Sequence, residues 1–301
     1  MTIVSLIPSG TDIACDLGLS KYLHAVSHAC DHPLAQGLPI ATRSVLEENL
    51  SPRQIDEAVG AALSSGDGSL YRTDRALLHA LQPDVILTQA ICDVCAVNEK
   101  TARCDAPMGS QLITLDATDF EGLWRDIRRV GKAAGVPESA QVLVASLQAR
   151  LECVRLKLSS APRATPSVLV LEWSEPPFIG GHWVPEIIAR AGGICVPQAS
   201  NQPSRRADWD ELSALDPNFI LLAPCGYSLE ESRAQGLELM QSEPRFKALR
   251  AVREDKVWAT DATHLFSRCT PATVRAVEVA AAILHPNLFE APHEDEAQPL
   301  S

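Results

Sequence analysis

ESAQVLVASLQARLECVRLKL at residues 138–158, followed by SSAPRATP at 159–166, divides this chain. Its apolar positions Val142, Leu143, Leu147, Leu151, Val154 and Leu158 recur at helical spacing. A helix of about 21 residues would be about 30 Å long at 1.5 Å per residue. Gly135-Val136-Pro137-Glu138 ends one helical stretch, which begins near Asp119, and starts this one; the Ser/Pro run then stops it. On the N-terminal side, strands and helices alternate. Ile3–Leu6 reads as a strand, Thr11–Leu17 as a helix stopped by Gly18, and Ala25–Ser27 as a strand. Ser51-Pro52-Arg53-Gln54 reads as an N-cap with Pro at N1, opening a helix to about Leu63 with Ile55, Val59 and Leu63 on one face. Leu70-Tyr71 is extended, Asp74 caps a helix through Leu81, and Val85–Thr88 and Leu112–Leu115 are buried strands. Beyond the break the rhythm restarts. Val168–Leu171, Phe219–Leu222 and Lys256–Ala259 read as strands. Val184–Ala191 (closed by Gly192-Gly193), Leu229–Met240 and Pro271–Leu284 read as helices. The acidic tail from Pro292 is expected to fray. The pattern is α/β: two Rossmann-like lobes, 1–136 and 161–301, joined by one long backbone helix at 137–160. A single doubly wound domain is the alternative.

The chain has 301 residues, 46% apolar and 21% charged, which is ordinary globular composition. A net charge of −12 gives no electrostatic case for nucleic acid. Arg128-Arg129, Arg205-Arg206 and Arg250/Arg253 are scattered and lie near acids. The start, Met1-Thr2-Ile3-Val4-Ser5-Leu6-Ile7-Pro8, lacks the basic and long apolar regions of a signal peptide, so a cytoplasmic location is expected. No membrane insertion is expected, because the longest apolar candidate, Val274–Leu284, is broken by Arg275 and Glu278. Nine cysteines, an odd number, favour free thiols or metal ligands over a complete disulfide framework.

In open α/β sheets ligands collect beyond the carboxyl ends of the strands. Here those ends carry Pro8, Ser9 and Thr11; His28, Cys30, Asp31 and His32; Gln89, Cys92, Asp93, Cys95 and Cys104; Glu172, Trp173, Glu175, Phe178, His182 and Trp183; Cys225 and Tyr227; and Asp261, His264, Arg268 and Cys269. Both lobes contribute, which predicts a ligand cleft between them. Ser5-Leu6-Ile7-Pro8-Ser9-Gly10-Thr11 leads into a helix whose first amides suit an anion. Cys92-x2-Cys95 has the spacing of two thiolates on one metal or of a redox pair, and of two packed cysteines equally. Cys104, Cys225, Cys269, Cys30 and His28 are the further candidate ligands, for zinc or an iron–sulfur cluster. Cys15 and Cys153 fall inside helices and are expected to be buried thiols, and Cys195 to be structural. His28–His32 also fits a solvated loop, and Glu172 and Glu175 also fit acids facing water. There is no G-x-S-x-G elbow, no G-x-x-x-x-G-K-[ST] and no G-x-G-x-x-G after the first strand. A wide cleft with aromatics and few committed acids or bases suits binding more than turnover. Enzyme activity is left open.

Ser5-Leu6-Ile7-Pro8-Ser9-Gly10-Thr11-Asp12, His28-Ala29-Cys30-Asp31-His32-Pro33 and Pro83-Asp84-Val85-Ile86-Leu87-Thr88-Gln89 resemble the cobalamin and iron-siderophore periplasmic binding protein family, from Ile3 to about Pro286. Ile91–Val97, Gly181–Glu186 and Pro224–Tyr227 look like a leaderless cobalamin-binding subgroup of it. The resemblance implies two α/β lobes on one long helix and a corrinoid or metal chelate held in the cleft. It implies cobalamin or a related corrinoid as the ligand, with Trp173, Phe178, Trp183, Tyr227 and Phe266 as aromatic walls, Tyr71 opposite, and His28 or His182 approaching cobalt axially. Trp209 is expected to pack. One alternative is a metal- or iron–sulfur-dependent protein or enzyme using the cleft cysteines. The other is a substrate-binding protein that feeds cobalamin or an iron chelate to an ABC importer, a partner the missing leader disfavours.

Overall fold

In the computed structural model, the structure describes residues 1–46, 50–64, 70–91, 97 and 99–300, with the backbone alone at 62–64. Two units divide it: residues 1–117 with 121–146, and residues 118–120 with 147–301. The boundary between them falls inside the long helix, between Ser146 and Leu147.

The first unit contains β1 (Ile3–Ser5), α1 (Pro8–Asp16), β2 (Leu23–Ala25), β3 (Thr42–Ser44), α2 (Pro52–Ser64), β4 (Tyr71–Thr73), α3 (Arg75–Leu81), β5 (Val85–Gln89), α4 (Glu99–Asp105), β6 (Gln111–Leu115), most of α5 (Phe120–Ala133) and the first part of α6 (Pro137–Ser159). Its main sheet has the order β2-β1-β5-β6 with every pair parallel. β5 is buried along its whole length, the continuous apolar pattern of a strand covered on both faces. Val4, Leu6, Ala25, Leu78, Ile86 and Ala102 form one packed core. α1 begins at Pro8, three residues before the sequence suggested, because Pro at its first turn has no N–H to leave unpaired. The helix then runs close to the sheet at Gly10, where a Cβ would stand 2.7 Å from Ser5 Oγ and 2.9 Å from Leu87 Cβ. Asp74 caps α3 as expected, accepting from the Leu77 N–H at 2.9 Å. β3 and β4 form a separate antiparallel pair.

The second unit continues with β7 (Ser167–Ser174), β8 (Pro177–Ile179), α7 (Val184–Arg190), β9 (Ile194–Cys195), β10 (Arg205–Arg206), α8 (Trp209–Leu215), β11 (Phe219–Leu222), α9 (Leu229–Ser242), α10 (Pro244–Lys247), α11 (Arg250–Arg253), β12 (Val257–Thr260), α12 (Ala262–Leu265), α13 (Ala272–Leu284) and β13 (Ala297–Pro299). Strand order is β10-β8-β7-β11-β12-β13, and β9 pairs with the start of β7. β7, β11 and β12 are parallel, while β8, β10 and β13 are antiparallel additions. Trp209 packs edge-on against Phe246 with centroids 5.7 Å apart, within the core, as expected.

Three expectations are corrected. The tail does not fray: β13 pairs with β12, and Leu300 is buried. Cys153 is exposed, because α6 turns it away from its packed stripe. Val142 is 69% exposed, and Ala140 and Val144 take the buried places before Leu147, Leu151, Val154 and Leu158. A run of three apolar residues at 142–144 fits two neighbouring helical registers, and packing selects the one centred on Val144. Among the described residues no helix is long and apolar enough to cross a membrane.

Candidate functional site

Parallel strands direct their carboxyl ends to one edge of each sheet, so each unit presents its own strand-end face. On the first unit that face holds Ser9 at the start of α1 and His28 just beyond β2. His28 is fixed from two sides. Its backbone N–H donates to Thr42 Oγ1 at 3.0 Å and its ring Nδ1 lies 2.7 Å from the same oxygen. The Thr42 hydroxyl in turn donates to Ser27 Oγ at 3.2 Å. The imidazole lies beside the ring of Tyr71, centroids 5.4 Å apart and planes at 34°. Burial of part of the ring lowers the His28 pKa from its ordinary value. Thr42 sits on β3 and Tyr71 on β4, so the β3–β4 pair is the scaffold that orients His28. Behind β6, the buried Asp126 carboxylate accepts from the backbone N–H groups of Asp116 and Ala117 at 2.9 and 3.0 Å and fixes the exit of that strand. Burial raises its pKa.

On the second unit the strand-end face is aromatic. Trp173 near the end of β7 is the cross-strand partner of Phe178 on β8. Trp173 also meets Tyr227 edge to face, centroids 5.5 Å apart at 69°. Phe178 carries the Arg206 guanidinium 5.6 Å from its ring centre. Tyr227 lies in the loop after β11. Its backbone N–H donates to Pro224 O at 3.0 Å, its carbonyl accepts from Thr263 N at 3.0 Å, and the adjacent Gly226 N–H donates to Ser267 Oγ at 3.0 Å. Burial, with Glu231 and Glu238 nearby, raises the Tyr227 pKa. Trp173, Phe178 and Tyr227 are each partly exposed.

Two other expected aromatic walls lie deeper. Phe266 is 2% exposed and Trp183 is 9% exposed, and the Trp183 indole N–H donates to Phe266 O at 2.8 Å. Both rings are packed inside the second unit. His182, next to them, is a non-glycine residue at φ +51°. Its N–H donates to Gln202 O at 2.6 Å, its carbonyl accepts from Asn201 N at 3.1 Å, and burial lowers its pKa. Gly181 is required beside it, since a Cβ there would stand 2.3 Å from the Ser204 nitrogen.

The cysteines are dispersed. Cys92 and Cys95 lie outside the described residues. Cys30 is partly buried in the first unit and Cys104 is exposed on α4. In the second unit Cys225 is exposed, and Cys269 is buried with its Sγ 4.0 Å from the Asp119 carbonyl. Among the described residues no group of three or more His, Cys, Asp or Glu side chains is placed to hold a metal ion. Cys195, at the edge strand β9, has its thiol pushed up to about 12 by burial and by Glu172.

Of the residues singled out in the sequence, the structure brings His28 beside Tyr71, and Trp173 beside Phe178 and Tyr227. Sequence reasoning missed Ser27 and Thr42, which orient His28, and Asn201 and Gln202, which hold His182. Thr42 lies 14 residues from His28, and only the tertiary placement of β3 joins them.

A family model described as periplasmic binding protein matches residues 3–263. A vitamin B12-binding protein of Vibrio cholerae serotype O1 is 26% identical over 281 residues, covering 92% of this chain and 86% of the relative. One of Vibrio campbellii is 22% identical over 221 residues, covering 72% and 69%. Among solved structures, a periplasmic haem-binding protein from Pseudomonas aeruginosa superposes with TM-score 0.69 at 20% identity, covering 100% of this chain and 95% of its own. A periplasmic vitamin B12-binding protein of Vibrio cholerae superposes with TM-score 0.69 at 21% identity, covering 94% and 96%. These two structures share the fold of this chain.

Proposed function

The chain belongs to the periplasmic binding protein family, and from that premise we propose that it is a binding protein for a corrinoid of the vitamin B12 class. The observation that carries this reading is the contact of Trp173 with Tyr227, beside Phe178, on the strand-end face of the second unit. A corrin is a broad, largely apolar macrocycle edged with amides. Partly exposed aromatic rings offer it a flat surface at little cost in conformational entropy. His28 and Tyr71 form a separate ring pair in the first unit. The likeness to the Vibrio cholerae vitamin B12-binding protein over most of both chains supports the same ligand class.

The test is equilibrium dialysis of the full chain against cyanocobalamin, with haemin and a ferric hydroxamate as competitors. Saturable 1:1 binding of cyanocobalamin, weakened by Trp173→Ala and by Tyr227→Ala, is the expected result. Tight haemin binding with no retention of cobalamin would replace the corrinoid by an iron chelate on the same face. A role in handing the ligand to an ABC importer rests on the family match and is tested by co-purification with a cognate permease.

A further inference from the structure

A cavity of about 340 Å³ opens in the second unit between α6, α13 and the segment that leads from α13 toward β13. That volume is at the small end of the range for ligand pockets, about 300–1,000 Å³. None of its lining residues belongs to the aromatic face. Arg150, Cys153 and Lys157 supply one wall from a single exposed face of α6, since residues three and four apart stack on a helix. Buried Val154, Val279 and Ala282 give the cavity an apolar floor. Phe289, which is partly buried, closes it from the third side.

The charges that line this cavity are not equally engaged. Glu278 takes a fork from Arg150 at 2.8 and 2.9 Å and a third bond from Arg275 at 2.9 Å, so its carboxylate is held by two guanidinium groups. Arg275 is in turn gripped by Glu296. Lys157 stands outside this network. Its ammonium lies 5.3 Å from the centre of the Phe289 ring, and among the described residues no carboxylate reaches it within ion-pair distance. The cavity thus offers one cation without a counter-ion against an aromatic wall and an apolar floor. A charge beside apolar surface is screened less than one in open water, so an anion there gains more than it would on a free surface lysine. Glu290, exposed among the lining residues, works against a ligand with a second negative charge.

We propose that this cavity is a second binding site, independent of the corrinoid reading, for a medium-chain aliphatic monocarboxylate. The carboxylate pairs with the Lys157 ammonium, and the chain lies over Val154, Val279, Ala282 and the Phe289 ring. Cys153 takes no chemical part. Its exposed thiol, in the wall beside Lys157, is a built-in reporter of occupancy.

The experiment titrates the full chain with octanoate, reading binding by calorimetry and occupancy by the rate at which iodoacetamide labels Cys153. Saturable 1:1 binding is expected, with slowed labelling of Cys153 and unchanged labelling of Cys104, which is exposed on α4. Lys157→Gln should weaken octanoate binding about tenfold, the scale for loss of one hydrogen bond to a charged group, and Lys157→Arg should retain it. Lys157 is exposed, so neither change disturbs the core, and both variants should hold cyanocobalamin as the wild type does. Octylammonium, with the opposite charge, and suberate, with a second carboxylate, should leave Cys153 labelling unchanged. Octanoate that does not bind, or that binds without slowing Cys153, overturns the site. Protection by octylammonium equal to that by octanoate overturns the role of Lys157, as does a Lys157→Gln variant of unchanged affinity. Suberate binding as tightly as octanoate overturns the choice of a monocarboxylate.

Discussion

Glu296 grips Arg275 through two parallel hydrogen bonds, Nε to Oε1 at 2.6 Å and Nη2 to Oε2 at 2.7 Å. The pair ties the acidic tail to α13. The same Arg275 reaches Glu278, and Glu278 takes a second fork from Arg150 on α6 at 2.8 and 2.9 Å. Both partners of the first fork are partly exposed, so its bidentate geometry matters more than its charge.

The tail should therefore be part of the folding unit. Beyond the fork it supplies β13, Ala297 and Leu300, and Leu300 packs into the core of the second unit. Leu300→Ala removes buried methyl groups and should destabilise by about 2–5 kcal/mol, the range for such truncations. Glu296→Gln keeps a neutral acceptor and should cost no more than about 1 kcal/mol. Urea denaturation of the two variants and of a chain ending at residue 292 tests this. A truncated chain with the wild-type midpoint would show that the strand adds nothing.

Much of this was legible in the sequence, and what was missed has a common cause. Val85–Gln89, Phe219–Leu222 and Val168–Leu171 are runs of apolar residues bounded by turn residues, and their burial on both faces left an unambiguous signature. β8, β10 and β13 are two or three residues long and contain Pro or Arg, so they have no periodicity to read and exist because a neighbouring strand offers an edge. The site followed the same division. Trp173 and Tyr227 stood out because strand ends are where ligands gather, but their contact depends on the pairing of β7 with β11. Trp183 and Phe266 were indistinguishable from them by residue type, and only the fold shows that those two rings are buried.

Thiol reactivity should divide the cysteines by environment. Burial, with help from Asp12 and Cys30, pushes the Cys15 thiol up to about 12, and burial with Glu172 does the same to Cys195. The thiolate is the nucleophile, so both should resist iodoacetamide at pH 8 in the native protein. Cys104, Cys153 and Cys225 are exposed and should label first. Peptide mass spectrometry after short exposures gives the order. Labelling of Cys195 as fast as Cys153 would contradict its burial.

Acid should weaken the fold through its buried imidazoles. Burial lowers the folded-state pKa of His182 and His285 below 6.5, their value in the unfolded chain. Above 6.5 both states are neutral and these groups contribute no pH dependence. As pH falls below 6.5 the unfolded chain binds protons first, so stability drops until the folded pKa values are passed. Urea midpoints should accordingly decline between pH 7 and pH 5. His285→Gln keeps a donor toward Gly192 O but cannot titrate, and it should flatten that decline. An unchanged slope would remove His285 from the acid response.

His182 holds a left-handed backbone at φ +51°, a conformation that costs a residue with a Cβ about 1–2 kcal/mol. Its two backbone hydrogen bonds, to Gln202 O and from Asn201 N, hold it there. Replacing the side chain separates backbone strain from ring chemistry. His182→Ala retains the Cβ and loses the packing of the ring against Trp183, whose centroid is 5.7 Å away. His182→Gly loses the same packing but relieves the strain, offset in part by the greater freedom of glycine in the unfolded chain. The glycine variant should therefore be the more stable of the two by about 1 kcal/mol, read from paired urea or thermal melts. If the alanine variant is as stable as the glycine variant, no strain is stored at this position. If the order holds and both variants bind cobalamin as the wild type does, the ring of His182 is a packing element beside the aromatic face and takes no part in holding the ligand.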